Sequence, residues 1–319
     1  MKNRHLRFLA LGTFAVGAVL LPSTACYAAE GGGSHYVQGT RGEFAMAMIG
    51  PPGFYTRNEL TYMDGDIGAV TRGDFALREL EQEVWLNTVK IIWFPEGEIF
   101  GARPGFVLSV PYVLNVDVSG SVIHPAEYST SGSKDGFSDP SLTGFLNWTY
   151  RDSNHFSAGI SVYSNFGKYD SDSIINLGRN YWSYDPYVAY TYLNPENGRE
   201  FSMNAGLMFN AENESTSYDT GTEFHIDLTL AQHLPNSLTV GVVGFYYDQI
   251  QDDEGDLIGA LPVGYKGFRS DSYGAGLALS WVPKIAGKDL TLTGKWIHDF
   301  DATNRLESEF FQFAVALKF

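Results

Sequence analysis

From Gly53 to the last residue, apolar and polar side chains alternate one by one in run after run. Successive side chains of an extended strand point to opposite faces, so each run reads as a strand with one apolar and one polar face. In 199–210, Phe201, Met203, Ala205, Leu207 and Phe209 oppose Ser202, Asn204, Gly206, Met208 and Asn210. In 222–234, Phe224, Ile226, Leu228, Leu230 and Leu234 oppose His225, Asp227, Thr229 and His233. The pattern predicts twelve strands: 53–63, 74–94, 102–118, 140–150, 155–166, 182–193, 199–210, 222–234, 237–249, 269–282, 288–299 and 306–319. The last carries Phe311, Phe313, Val315, Leu317 and Phe319 on one face. Taken alone, that segment also suits the final strand of a soluble sandwich.

The connections separate the two architectures. With the N-terminus placed in the periplasm, the even-numbered links are compact: 95–101, 151–154, 194–198, 234–237 and 283–288. Most odd-numbered links are long and polar, at 119–139, 167–181, 211–221 and 250–268, whereas 64–73 is of middle length and 301–304 is short. Short periplasmic turns alternating with longer outer loops are a property of outer-membrane barrels. A sandwich has no reason to sort its loops by parity. The fold predicted is an all-β, antiparallel transmembrane β-barrel of about 12 strands over 53–319, with both termini periplasmic. Closure follows from the solvent, because in lipid every backbone N–H and C=O must be satisfied within the protein. Trp93, Trp148, Tyr150, Tyr192, Tyr246, Tyr247, Trp281 and Trp296 fall near segment ends, as interfacial girdles require.

Two stretches fit less well. Residues 74–94 exceed the 9–11 that a barrel strand needs in the membrane, which predicts an outward projection or a bulge. Residues 29–52 match no strand: they hold Gly31-Gly32-Gly33, the apolar run Gly42 to Ile49 and Pro51-Pro52. A periplasmic plug in the barrel mouth, with Met46 and Met48 as adaptable apolar surface, is one reading. An irregular thirteenth strand and a disordered arm fit as well.

Residues 1–28 read as a signal peptide. Lys2, Arg4 and Arg7 precede an apolar core from Phe8 to Leu21, and Cys26-Tyr27-Ala28 offers small residues for cleavage. Fourteen apolar residues are too few to span a bilayer as a helix. A lipid anchor on Cys26 is disfavoured by Ser23, where that signal takes a leucine-like residue. Cleavage after Ala28 removes the only cysteine, and with it any disulfide, thiol nucleophile or thiolate metal site. The net charge of −16 argues against nucleic-acid partners, which need a positive surface.

Four tracts resemble one family: GGGSHYVQGTRGEFAMAMIGPPGFYTRNEL (31–60), NYWSYDPYVAYTYLNPENGREFS (180–202), YDTGTEFHIDLTLAQHLPNSLTVGVVGFYYDQ (218–249) and KWIHDFDATNRLES (295–308). They are similar to the SphA-type transporter family, the meta-pathway phenol-degradation-like outer-membrane proteins. The resemblance implies a barrel for passive uptake of small hydrophobic compounds, aromatic ones among them, in the outer membrane of a Gram-negative bacterium. It supplies no catalytic residue and no cofactor. A structural or surface barrel without a transport role is the alternative.

Among residues that bear chemistry, His155 and Ser157 have the spacing of an outer-membrane lipase pair. They sit beside the 151–154 turn, at the end of the barrel away from surface lipid, so no enzyme is expected. The acidic clusters Asp64/Asp66, Asp170/Asp172 and Asp252 to Asp256 lack the spacing of a calcium loop. They read as solvated loop tips that bridge lipopolysaccharide at most, and no resident metal is expected. Candidates for the lumen and substrate path are Arg57, Glu59, Glu79, Glu81, Glu83, Asn87, Asn204, His225, Asp227 and Lys295, since charge facing mid-depth lipid is costly. Interior salt-bridge ladders would serve the same residues. Phe319 is the candidate signal to the barrel insertion machinery. The remaining partners expected are the lipid bilayer, lipopolysaccharide and a small hydrophobic substrate.

Overall fold

The computed structural model describes residues 30–72, 75–255, 269–285 and 287–319. The leader expected at 1–28 lies outside them. Twelve long strands form the wall: β1 (Gly53–Arg72), β2 (Phe75–Phe94), β3 (Arg103–His124), β4 (Ser141–Tyr150), β5 (Asn154–Tyr163), β6 (Ser183–Leu193), β7 (Arg199–Asn210), β8 (Glu223–Leu234), β9 (Leu238–Gln249), β10 (Asp271–Trp281), β11 (Lys288–Thr303) and β12 (Glu307–Lys318). Each pairs antiparallel with the next. The ring closes where β12 pairs with β1, from Tyr55 opposite Lys318 to Asp66 opposite Glu307. Phe319 N donates to Phe54 O at 3.0 Å.

Burial follows the alternation. Leu230, Leu277 and Phe313 point outward and are 62%, 58% and 52% exposed, while Asp185, Ser202 and Asp227 point inward and are fully buried. The exterior is therefore an apolar band and the interior a packed, largely polar lumen. Trp93, Tyr150, Tyr192 and Trp281 are exposed near the short-turn end, and Tyr246 near the long-loop end. Tyr247 is no girdle residue. It faces inward, fully buried, with the Arg305 guanidinium 3.7 Å from its ring centre.

Three strands run farther than the hydrophobic pattern indicated. β1 continues to Arg72, so most of 64–73, expected as a loop, is strand. β3 reaches His124, and Tyr128–Phe137 pairs back along it, making the expected loop 119–139 a projecting hairpin. β2 spans 20 residues with register shifts at Ala76/Leu77, Arg78/Glu81 and Trp85/Leu86. These extensions are polar on the face that is apolar lower down. Backbone pairing does not depend on lipid, and it persists into water once a partner strand is in register.

Residues 30–52 run inside the barrel from end to end. The Glu30 carboxylate accepts hydrogen bonds from Tyr169, Asn213 and Thr216, in the long links β5–β6 and β7–β8. At the other end Gly50 O accepts from Arg103 at 2.7 Å and Pro51 O from the Tyr55 hydroxyl at 2.7 Å. Glu30 and Phe319 thus lie at opposite ends, which corrects the expectation that both termini share the periplasmic side. Met46 and Met48 are only half-buried, and the better packed apolar groups of the segment are Phe44 and Ala47.

Candidate functional site

The lumen is organised around a turn at residues 39–42. Gly39 has φ +65°, a conformation that disfavours side chains, and a Cβ there would meet Ile297 Cδ1 at 2.4 Å. The bare turn wraps the Lys295 ammonium, which donates to Gly39 O at 2.7 Å, Gly42 O at 2.9 Å and Thr40 O at 3.4 Å. Opposite, Asp227 Oδ1 accepts from Gly42 N at 2.8 Å and Oδ2 from the Tyr36 hydroxyl at 2.8 Å. One buried cation and one buried anion therefore hold the turn from two sides of the wall. Buried charges require such partners.

Two ionic clusters flank it. In the first, Glu59 Oε1 accepts from Arg57 Nε at 2.6 Å and Lys90 Nζ at 2.8 Å, and Arg57 reaches Glu43 of the central segment at 2.7 Å. In the second, Arg41 of the segment pairs with Asp185 of β6, whose other oxygen lies 3.0 Å from His225 Nε2. Tyr36 stacks on His225 with ring centres 4.2 Å apart. Gly206 makes room for this pair, because a Cβ there would meet Asp185 Oδ1 and His225 Nε2 at 2.5 Å.

Further contacts fix the two halves of the segment. Toward the long loops, His35 lies 2.7 Å from Ser183 Oγ and 3.1 Å from Asp139 Oδ2. Toward the short turns, Ala45 N donates to Glu200, Ala47 N to Thr191 Oγ1 at 2.9 Å, and Ala47 O accepts from Asn147.

Of the residues picked out by pattern, Arg57, Glu59, His225, Asp227 and Lys295 all point inward and gather on residues 36–43. Asn204 also faces inward, beside Asp227 in register, and its Oδ1 has no hydrogen-bond partner. Glu79, Glu81, Glu83 and Asn87 do not line the lumen. Glu81, Glu83 and Asn87 lie on the outward row of β2 with Trp85, Val89, Ile91 and Trp93, and Glu79 sits exposed in the irregular part of the strand with φ +53°. The three acids stand on the extension toward the long loops, above the apolar band, where carboxylates are solvated and no lipid penalty turns them inward. Asn87 is lower, and its amide is matched by Asn58, with N···O distances of 3.0 and 3.1 Å.

The alternation did not single out Tyr36, Arg41, Glu43 and Asp185. The first three sit in a segment with no strand periodicity. Asp185 was legible, since Ser183 and Asp185 alternate with Tyr184 and Pro186.

No hydrolase arrangement is built from His155 and Ser157. His155 Nδ1 is 3.0 Å from Thr149 Oγ1, and Ser157 Oγ accepts from Asn147 at 2.9 Å. In the His35 group, Ser183 is fully buried and also lies 2.5 Å from Asn210 Oδ1. Of the acidic tips, Asp252 pairs with Arg269 at 2.5 Å and Asp253 is buried, so that cluster is partly structural; Asp256 lies outside the described residues.

A closed antiparallel ring with an apolar exterior and a hydrogen-bonded polar interior defines a transmembrane β-barrel of the outer-membrane type. Within that class, the chain belongs to the family described as "Putative MetA-pathway of phenol degradation", whose model matches residues 66–315. Among solved structures it is similar to an outer membrane channel from Pseudomonas putida F1, with TM-score 0.67 and 14% identity over 87% of this chain and 99% of that one. The translocator domain of the autotransporter NalP from Neisseria meningitidis aligns at TM-score 0.44 and 12% identity, covering 86% of this chain and 91% of that one. A Pseudomonas aeruginosa FadL homologue aligns at 0.42 and 9%, covering 84% and 90%. These last two likenesses carry no argument. No curated protein sequence matches the chain.

Proposed function

We propose that the protein is an outer-membrane channel for passive uptake of small hydrophobic compounds, aromatic ones among them, with its short turns in the periplasm. The observation that carries this reading is the content of the lumen. A single segment occupies it, attached by hydrogen bonds and ion pairs to wall groups such as Asp227, Lys295 and Asp185. An interior held by polar contacts exchanges partners with water more readily than an apolar core. Weak binding at successive polar sites is what a conducting path needs. The fold shared with the Pseudomonas putida channel and the family's link to phenol degradation support the same reading. It assigns no catalytic step to the chain.

The test is swelling of liposomes that hold the purified protein in solutions of small aromatics, together with growth of a deletion strain on aromatic carbon sources at low concentration. Faster swelling than protein-free liposomes and impaired growth are expected. Undiminished growth after deletion, with no permeability in vitro, would overturn the proposal. That result is also what the structural-barrel reading predicts, and the full-length filling of the lumen by residues 30–52 favours that second reading.

A further inference from the structure

At the long-loop end, a cavity of about 130 Å³ opens between residues 30–38 and the wall. Met63, Ile67, Val116, Ile175 and Leu306 give it an apolar side, and Arg179 and Arg305 give it two guanidinium groups. Arg305 is the telling residue. It is 3% exposed, and Nη2 donates to Tyr36 O at 3.1 Å and Gln38 Oε1 at 2.9 Å. The guanidinium lies over the Tyr247 ring, and Nε has no hydrogen-bond partner. Its partners among the described residues are neutral.

Other charges nearby are already engaged. Asp299 Oδ2 accepts from the Ser308 amide and hydroxyl at 2.9 and 3.1 Å. Glu223 accepts from Ser34 and from Asn210. The carboxylate in the cavity wall, Glu30, is bound by Tyr169, Asn213 and Thr216. Arg179 donates to Glu30 O at 3.2 Å and lies against Gly33, where a Cβ would meet Nη2 at 1.9 Å. The glycine run thus has a use, which is to let a guanidinium approach the segment's backbone.

A buried cation without a counter-ion is costly, and a planar guanidinium matches a carboxylate in two parallel hydrogen bonds. A cavity of about 150 Å³ lined by apolar side chains accommodates benzene. We propose that this cavity is a binding site for a monocyclic aromatic acid, with the carboxylate on Arg305, assisted by Arg179, and the ring against Met63, Ile67 and Leu306. The proposal rests on the uptake reading and narrows its substrates to anions of aromatic acids.

The test is calorimetric titration of the full-length protein in detergent at neutral pH with benzoate and, in parallel, with the uncharged benzamide. Saturable binding of benzoate is expected, at least tenfold tighter than benzamide. It should weaken tenfold or more in Arg305→Gln and several-fold in Arg179→Gln. Equal binding of the two ligands, no binding of benzoate, or an unchanged affinity in folded Arg305→Gln would overturn it. Heat-modifiable gel mobility establishes that each variant is folded. If Arg305→Gln fails to fold, Ile175→Trp decides: it fills the cavity from a loop and should abolish benzoate binding, and retained binding overturns the proposal. Liposome swelling with a neutral aromatic separates the two levels. Passage of the neutral compound without Arg305-dependent benzoate binding sinks this inference alone. Benzoate binding without passage of either compound sinks the uptake reading alone.

Discussion

Lys295 and Asp227 each satisfy backbone groups that nothing else in the lumen reaches. Replacing Lys295 by Met strands the carbonyls of Gly39 and Gly42, and hydrogen bonds to a charged group contribute about 1.5–3 kcal/mol. A loss of about 2 kcal/mol is expected for Lys295→Met, and a similar loss for Asp227→Ala, read from urea unfolding in lipid vesicles. The two changes should be non-additive, since they share the 39–42 turn. Asp253 lies in the β9–β10 link, outside the wall. Burial pushes its carboxyl up to about 8, against hydrogen bonds from Tyr218, Gly221 and Gln249 that favour the anion. A group raised in the folded state contributes stability that is full below its unfolded value of about 4 and is lost as pH rises through about 8. Limited proteolysis of the long loops should therefore quicken between pH 6 and 9, and Asp253→Asn should flatten that dependence.

Strands and segment differ in how far the sequence discloses them. All twelve wall strands were legible, because alternation within a lipid band is enforced at every second position. Their outer extensions were not, since water removes the apolar requirement that makes alternation visible. The same boundary explains why the row from Glu79 to Glu83 was misplaced: the cost of charge in lipid says nothing about strand above lipid. Asp227 and Lys295 were legible because each interrupts an inward row at mid-depth. The central segment left only its glycines and its acid–base mixture as signals. β12 carries a further expectation. Phe319 is 71% exposed, so Phe319→Ser should change the folded barrel's stability by no more than about 0.5 kcal/mol. If the residue is read during insertion, the variant should instead lower the yield of heat-modifiable protein in outer-membrane fractions several-fold. An unchanged yield would remove its role as a signal.

At the level of the whole molecule, conductance should depend on the occupant of the barrel. Deleting residues 30–50 while keeping the leader and the wall is expected to raise single-channel conductance in planar bilayers by severalfold. A deletion that left conductance unchanged would place the conducting path outside the space the segment fills. Thermal stability should fall at the same time, because Arg41, Glu43 and Lys295 lose their partners.

The run of the chain from Glu30 through the lumen and directly into β1 also bears on the order of assembly. β1 is one lip of the seam that β12 closes. Threading a finished cylinder would drag Arg41 and Glu43 past the apolar Phe245, Ile297 and Phe310. If instead the seam zips last, the segment is already laid along the inner face of β1, and ring closure is also enclosure. The first fifty residues would then act as a mandrel on which the sheet is rolled. A protein delivered to the membrane without them should close more slowly even where its final ring is the same.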